Sequence, residues 1–373
     1  MTLAMKQTGR AGLEFLGSLQ HFASSQLRSK AAEDFYADPA MNELGTLPLG
    51  NRPRAELEHI LKQAKSVARK SAHYRMERFC QRVVAENVYD RGIPATEAIR
   101  DQLTPMLAQS AGDAAGTLSL NTTLSEPKYF EGVEWHLMPG GWDGYDLSGF
   151  MFMLGVGPAI FSRGGYAAVE VDANIGEQRV QVVSELPRRD YRRIYEGGCG
   201  GISTLGALRK VFPQAELTGA DLSANLLRFG HLMAGKLSLD VHLKQEDICA
   251  TSEPDNHHDA AVSYAVFHEM DDTTARRHIK ELFRLLAPGG DLVISDPGPI
   301  RGCNPFEAVV YDWETEYREE PWFTDSILRS LPDMLREAGF EQVEEYPLDN
   351  GPYPWITRAR KPGGRQAAEA AGS

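Results

Sequence analysis

The feature that most constrains the fold of this 373-residue chain is a regular alternation of short apolar runs and amphipathic segments that begins at Arg193. Apolar runs that suit strands lie at 193–196, 216–220, 240–243, 259–264 and 291–295. Segments with helical spacing lie near 202–212, 223–237, 272–287 and 326–338. Strands that alternate with helices predict an α/β fold, in which helices cover both faces of a mainly parallel sheet.

The C-terminal end of this pattern predicts an exception to the parallel order. The runs 341–346 and 353–358 flank Asp349-Asn350-Gly351, a turn sequence, and therefore predict an antiparallel hairpin at the edge of the sheet. The small and polar residues 361–373 predict a disordered tail.

A glycine-rich turn follows the first predicted strand. The sequence Glu196-Gly197-Gly198-Cys199-Gly200-Gly201 leads into a helical segment, and Asp221 closes the next strand 21 residues after Gly200. Glycines let a backbone pass close to a ligand, and an acid at the end of the second strand accepts hydrogen bonds from ribose hydroxyls. This order predicts a site for a nucleoside-bearing cofactor.

Residues 193–360 resemble the class I S-adenosylmethionine-dependent methyltransferases in the glycine turn, in GADLS around Asp221, in QEDIC around Asp247 and in LLAPGGDLVISD at 285–296. The resemblance implies a Rossmann-like sheet and S-adenosylmethionine as the cofactor. It implies that Asp221 binds the ribose and that Asp247 faces the adenine amino group. The full set of implied cofactor-binding residues is Glu196, Gly198, Gly200, Asp221, Leu222, Asp247 and Ile248.

The chemistry of this cofactor agrees with the residues. The sulfonium is a cation, and the methionyl end carries ammonium and carboxylate groups, so an acid at Glu196 beside backbone amides suits it. Ile202 departs from the family pattern, because many members have a third glycine there. Two alternatives remain: glycines that only make tight turns, and a nicotinamide cofactor, which uses a similar loop and distal acid. The edge hairpin and the 285–296 segment favour the methyltransferase.

His268 is the candidate catalytic residue. In AVSYAVFHEMDD it follows the fourth strand at its carboxyl end, where open α/β sheets bind ligands. The segment resembles the His-acid stretch of small-molecule O-methyltransferases, in which a histidine takes the proton from the attacking hydroxyl. An ordinary histidine pKa of about 6.5 allows this near neutral pH. The alternative is a histidine that caps the strand or bonds to the backbone.

Two segments are expected to cover the acceptor: 135–165, which is rich in glycine and aromatic residues, and 300–325, which mixes aromatic residues with acids. A packed connection between domains is the alternative for the first. Candidate substrate-binding residues are His136, Trp142, Tyr145, Arg163, Asp296, Tyr311 and Trp313. No metal site is expected, because only His268 and Asp296 fall at adjacent strand ends and zinc requires three or four grouped donors.

The N-terminal half is expected to form two further regions. Residues 1–115 predict a helical domain in which apolar residues from 57 to 83 form one long helix after Pro53. Its apolar stripe would pack on the catalytic domain or form a homodimer interface. Residues 116–192 predict a glycine- and aromatic-rich connection that ends in a hairpin of 166–171 and 178–183, with the catalytic domain at 193–360.

The composition limits the classes of binding partner and the cellular compartment that we expect for this protein. The net charge of −13, without a run of Lys or Arg, disfavours nucleic acid. The four cysteines lack metal or disulfide spacing, and the sequence shows neither a signal peptide nor an apolar run long enough to span a bilayer. These features favour a reduced, cytoplasmic protein that does not associate with membranes.

We therefore expect methyl transfer from S-adenosylmethionine to a small-molecule acceptor, with O-methylation favoured because of His268. S-methylation of a thioether, as in enzymes that resemble the methylthiohydroxybutyrate methyltransferases of dimethylsulfoniopropionate synthesis, needs no base because sulfur attacks without losing a proton. C-methylation of an activated carbon is a third possibility. A cofactor-binding protein without transferase activity is the alternative of another class, and only Ile202 favours it.

Overall fold

The computed structural model describes residues 3–113, 116–165, 169–349 and 351–363. Within these residues the fold is built on an eight-stranded sheet with the order β1-β4-β3-β2-β5-β6-β8-β7. The strands are β1 (Gly116–Ser119), β2 (Arg193–Gly197), β3 (Glu216–Asp221), β4 (Val241–Gln245), β5 (His258–Tyr264), β6 (Leu286–Asp296), β7 (Glu341–Pro347) and β8 (Trp355–Arg360). The first six pair in parallel, and β8 is antiparallel to both of its neighbours. The predicted α/β sheet with an antiparallel edge hairpin is confirmed.

Helices surround this sheet. In chain order they are α1 (Gln7–Phe22), α2 (Arg28–Ala37), α3 (Arg54–Ala68), α4 (Ala72–Glu97), α5 (Arg100–Asp113), α6 (Ser148–Met151), α7 (Gly157–Ala159), α8 (Ile175–Ser184), α9 (Ser203–Val211), α10 (Ala224–Leu237), α11 (Asp272–Leu285), α12 (Pro305–Tyr317), α13 (Phe323–Leu328) and α14 (Leu331–Glu337). Local capping sets several helix starts: the side chain of Ser223 accepts the N–H of Leu226 in α10, and that of Asp271 accepts the N–H of Thr274 in α11. The strand–helix alternation predicted after 193 is therefore present.

The N-terminal prediction of one helix from 57 to 83 is wrong. The helix is interrupted at residues 69–71. The Ser71 hydroxyl then accepts the N–H of Tyr74, which starts α4. Ser71 is the local signal for this interruption, because serine favours the N-cap position of a helix. The apolar spacing continues across it and therefore suggested a single helix. α3 packs against α12 and buries its apolar face, whereas Met76 and Phe79 on α4 are 52% and 62% exposed.

The predicted hairpin before the catalytic domain is also wrong. Residues 178–183 lie in helix α8, whose cap is Asn174: its side chain accepts the N–H groups of Gly176 and Glu177. Residues 166–168 lie outside the described part of the chain, and Val171 forms only an isolated bridge with Gly164. The connection instead contributes β1, which extends the sheet beside β4.

One apolar core joins the N-terminal helices to the sheet. Phe35 of α2 packs on Phe306 of α12 with ring centroids 5.4 Å apart, and both belong to a buried cluster that includes Val262 of β5. This packing fixes the N-terminal half above the insertion that follows β6. Among the described residues, no helix is both long and apolar enough to cross a membrane.

Candidate functional site

The glycine turn after β2 is shaped for close approach. Gly198 and Gly200 adopt left-handed φ angles of 75° and 47°, and a Cβ on Gly198 would lie 2.4 Å from the Val266 side chain. The Gly200 N–H donates to Asp221 Oδ2 and the Ser223 N–H donates to Asp221 Oδ1, each at 2.8 Å. The acid at the end of β3 is thus fixed beside the turn, as the motif requires.

Glu196 at the end of β2 is a buried acid with an unused oxygen. The residue is 1% exposed, and its Oε2 has no hydrogen-bond partner within the described ranges. Burial raises the pKa of Glu196 to about 8, although a hydrogen bond from Thr204 lowers it. An orphaned carboxylate oxygen beside a glycine turn fits the cationic end of S-adenosylmethionine.

The other implied cofactor residues lie at the ends of β3 and β4. Asp247 Oδ1 accepts the Cys249 N–H at 2.9 Å. Ile248 is buried, and its carbonyl is 3.0 Å from the His278 ring nitrogen Nδ1. Leu222 follows Asp221 directly and is half-buried. The structure thus brings the implied set, from Glu196 to Ile248, to one edge of the sheet, which we call the cofactor edge. The contact of these residues with the cofactor stays a prediction.

Ile202 takes a left-handed backbone conformation of the kind that glycine adopts most easily. Its φ of 71° and ψ of 11° are left-handed, which is a strained region for a β-branched residue, and its side chain is 3% exposed. Helix α9 begins at the next residue. Burial of this side chain holds a left-handed turn without a glycine.

A second group of side chains surrounds His268 at the carboxyl end of β5. His268 Nδ1 lies 2.6 Å from Oδ1 of Asp296, the last residue of β6. Glu269 Oε1 is 4.0 Å from His268 Nε2 and 3.8 Å from His136 Nε2, and His136 Nδ1 is 2.6 Å from Glu320 Oε1. We call these five residues the His136/His268 cluster. One donor atom from each of His136, His268 and Glu320 lies within 4.8 Å of the others.

Burial and charge act strongly within the His136/His268 cluster. Burial lowers the pKa of His268, but Asp296, Glu320 and Glu269 outweigh it and raise the pKa to about 10. Burial raises the pKa of Glu269 to about 8 against the opposing effect of His268. For Glu320 burial also raises the pKa, yet the contact with His136 leaves it below the ordinary value. The cluster is therefore a set of interdependent buried charges.

Two covering segments reach the cluster from distant parts of the chain. In the first, Trp142 Nε1 donates to both carboxylate oxygens of Glu269 at 3.1 and 3.2 Å. The adjacent Asp143 accepts from the Ser223 hydroxyl at 2.8 Å, which ties this segment to the cofactor edge. In the second, Glu320 Oε1 lies 2.6 Å from His136 Nδ1. Both predicted segments thus contribute side chains to the cluster, and their covering of an acceptor stays a prediction.

Backbone strain collects around the same cluster. His136, Ala265 and Glu319 have φ angles of 56°, 56° and 51°, although none is a glycine. Such conformations cost about 1–3 kcal/mol each and persist where surrounding packing enforces them, often at ligand sites. The strain coincides with the segments that carry His136, His268 and Glu320.

Several predicted substrate residues make their contacts elsewhere. Phe323 lies between Tyr311 and His268. The ring centroid of Phe323 is 6.0 Å from that of Tyr311 and 5.8 Å from that of His268. The remaining three have partners outside the cluster: Tyr145 donates to Glu97 at 2.7 Å, Arg163 donates to Ser18 at 3.2 Å, and Trp313 stacks on Tyr317 at 5.3 Å. Of the predicted set, His136, Trp142 and Asp296 therefore meet at His268.

Sequence reasoning missed Glu269 and Glu320. Glu269 directly follows His268, and Glu320 lies in the acidic 300–325 segment. Acids in loops are usually exposed to solvent, so the presence of a glutamate did not predict a buried functional group. In the structure, Glu320 is 1% exposed. The useful signal for Glu269 was its adjacency to a strand-end histidine.

Comparison with known proteins agrees with this geometry. Residues 194–290 match the family model of a methyltransferase domain. A demethylmenaquinone methyltransferase of Thermus thermophilus is 32% identical over 107 residues, which are 28% of this chain and 47% of the relative. A trans-aconitate 2-methyltransferase of Rhodopseudomonas palustris is 30% identical over 116 residues, 31% of this chain and 43% of the relative.

A third relative aligns over a longer segment. Phosphoethanolamine N-methyltransferase 1 of Arabidopsis thaliana is 25% identical over 167 residues, 45% of this chain and 32% of the relative. The chain spans less than half the length of each of these curated relatives. The sheet order, the glycine turn with its two acids and these matches identify a class I S-adenosylmethionine-dependent methyltransferase domain in this chain, with its matched core at residues 194–290.

Proposed function

We propose that this protein transfers the methyl group of S-adenosylmethionine to a small-molecule acceptor bound at the His136/His268 cluster. One observation carries the proposal: β2 and β5 are adjacent parallel strands, so Glu196 at the end of one and His268 after the other belong to the same edge of the sheet. Ligands of open α/β sheets bind at this edge. Cofactor and acceptor would therefore meet where the two covering segments exclude water.

The cofactor half of the proposal uses residues already at the sheet edge. Asp221 would accept hydrogen bonds from the ribose hydroxyls, and Glu196 would face the charged methionyl end. Bound S-adenosylmethionine supplies an electrophilic methyl group on a sulfonium. The chain's own contribution is to hold that cofactor, to orient the acceptor and to cover both.

The relatives support an acceptor of small size. They are named for demethylmenaquinone, trans-aconitate and phosphoethanolamine, none of which is a macromolecule. The buried and enclosed position of the His136/His268 cluster agrees with that class, since a covered site of this kind encloses most of a ligand's surface.

We favour oxygen as the atom that is methylated, with His268 as the general base. Asp296 holds Nδ1, so Nε2 is the ring atom left for an acceptor hydroxyl. The hydroxyl oxygen would attack the methyl group while its proton passes to Nε2. Since the pKa of His268 is raised to about 10, this role requires bound ligands to stabilise the neutral imidazole.

The raised pKa of His268 favours a second candidate, S-methylation of a thioether. An imidazole that holds its proton at neutral pH suits an acceptor that loses none. His268 would then bind the acceptor by donating a hydrogen bond from Nε2 instead of accepting a proton. Thioether acids of the methylthiohydroxybutyrate type belong to this class.

Product analysis tests the proposal. The full chain is incubated with methyl-labelled S-adenosylmethionine and matched pairs of acceptors, one with a hydroxyl and one with a thioether, and products are identified by mass spectrometry. We expect S-adenosylhomocysteine and a labelled product in equal amounts for one class. A protein that binds no S-adenosylmethionine, or that yields no product with any acceptor class, would contradict it.

A further inference from the structure

We propose that His136, His268 and Glu320 form a binding site for one divalent transition-metal ion. The three side chains come from three separate segments, and their donor atoms lie within 4.8 Å of one another. Metal–ligand bonds of about 2.0–2.2 Å place the donors of a tetrahedral ion about 3.3–3.6 Å apart. Side-chain shifts of about 1 Å therefore suffice to close the site around an ion.

The free ring atom of His268 is the one that a metal would use. Its Nδ1 is 2.6 Å from Asp296 Oδ1, so Nε2 points away from Asp296 and lies 4.0 Å from Glu269. Histidine ligands usually engage a carboxylate through their other ring nitrogen, which fixes the tautomer and strengthens the ligand. Asp296 has the position of such an outer carboxylate.

Glu320 provides an independent reason to expect a cation. Its side chain is 1% exposed, and Oε2 has no hydrogen-bond partner in the part of the chain that the structure describes. Burying a carboxylate oxygen without a partner is costly, and coordination to a metal removes that cost. The contact between His136 and Glu320 Oε1 leaves Oε2 available as a ligand.

Local strain agrees with a site built for a ligand. His136 itself has a φ of 56°, and Glu319, next to Glu320, has a φ of 51°. Left-handed backbone at non-glycine residues is held only where packing or binding compensates for it. Two of the three proposed ligands are therefore presented by strained backbone.

The donor set selects the class of ion. Two imidazoles and a carboxylate, with no thiolate, suit zinc, iron, cobalt or nickel better than magnesium or calcium, which prefer oxygen ligands alone. Three protein ligands leave at least one position open, with Glu269 at 3.8 Å from His136 as a further oxygen nearby. If the proposed function holds, that open position would bind an oxygen of the acceptor. Since the ion would occupy His268 Nε2, the bound ion rather than His268 would then lower the pKa of an acceptor hydroxyl, and the general-base role of His268 belongs to the metal-free protein.

Calorimetry with Zn²⁺ tests the site in the full chain after chelator treatment. We expect one Zn²⁺ per chain in the unmodified protein and an affinity at least tenfold weaker in Glu320→Gln. His136→Asn should weaken binding similarly while tolerating the left-handed backbone. Glu319→Gln is the matched control, because Glu319 is the exposed neighbour, and it should bind Zn²⁺ as the unmodified protein does.

A second measurement does not depend on the variants. X-ray absorption of the Zn²⁺-loaded unmodified protein should show scattering from two imidazole rings, and spectra without imidazole would overturn the proposal. Absence of Zn²⁺ binding, or equal binding by all variants, would show instead that the cluster is only a network of ion pairs.

S-adenosylmethionine affinity of the metal-free protein is measured in the same series. Normal cofactor binding without Zn²⁺ binding rejects the metal site alone. Loss of cofactor binding in the unmodified protein rejects the proposed function, whatever the metal result.

Discussion

The cofactor edge and the His136/His268 cluster lie side by side but are assembled differently. The acids of the cofactor edge, Glu196, Asp221 and Asp247, come from one stretch of chain and stand at or just after successive strand ends. The cluster draws His136 and Glu320 from segments far apart in sequence. One half of the site follows from strand order, and the other depends on how distant loops pack.

Electrostatics separates the two halves as well. Asp221 is stabilised locally, since two nearby backbone N–H groups donate to it. In the cluster, burial raises the pKa of Glu269 against the opposing effect of His268. Burial lowers the pKa of His268, but Asp296, Glu320 and Glu269 outweigh this effect and raise it. A change at the cofactor edge should therefore act mainly on one ligand, whereas a change in the cluster should act on several groups together.

The largest expected effect separates turnover from cofactor binding. His268→Gln should lower kcat about 10²–10⁴-fold, because the cluster loses the group that acts on the acceptor. Cofactor affinity, measured by calorimetry, should change less than about threefold. His59→Gln, at an exposed position on α3, is the control and should leave both values unchanged. A fully active His268→Gln enzyme would remove His268 from the chemistry.

The second expected effect concerns acid stability of the cofactor edge. His278 is buried beneath it, and burial lowers the pKa of His278 to about 4. The unfolded chain binds this proton near pH 6.5, so the stabilisation is complete above about pH 6.5 and is lost as pH falls toward 4. Urea unfolding should show a loss on the order of 2–3 kcal/mol over that window. His278→Gln should flatten that part of the curve, and an unchanged curve would reject the assignment.

A third change isolates the cofactor edge. Asp221→Asn weakens charge-assisted hydrogen bonds worth about 1.5–3 kcal/mol, so S-adenosylmethionine affinity should fall roughly tenfold to a hundredfold. Asp240→Asn, an exposed acid near the end of α10, is the matched control. Calorimetry on both variants decides the matter. Equal affinity in a folded Asp221→Asn protein would sink the ribose assignment.

The smallest expected effect lies at the junction of the two halves. Trp142→Phe removes the indole N–H that donates to Glu269 but keeps an aromatic ring. We expect kcat/KM for the acceptor to fall by no more than about tenfold, since an ordinary hydrogen bond is worth about 0.5–1.5 kcal/mol. Cofactor affinity should stay nearly constant. If cofactor affinity falls as much as kcat/KM, Trp142 belongs to the cofactor edge.

The strands and the cofactor edge were predictable because their signals are local. The apolar run of β5 and the capping residue of α10 act on neighbours within a few residues. The errors arose where one local signal concealed another. Apolar spacing masked the Ser71 cap between α3 and α4, and alternation at 178–183 masked the Asn174 cap of α8.

By itself, the sequence determined the parallel sheet, its antiparallel edge hairpin and the position of Asp221 beside the glycine turn. Parallel strands order their carboxyl ends automatically, so a motif at a strand end has a known place. Only the tertiary structure decided that His136 and Glu320 meet His268. His136 comes from a segment more than a hundred residues before the other two, and no spacing in the sequence encodes which loops reach the same strand end.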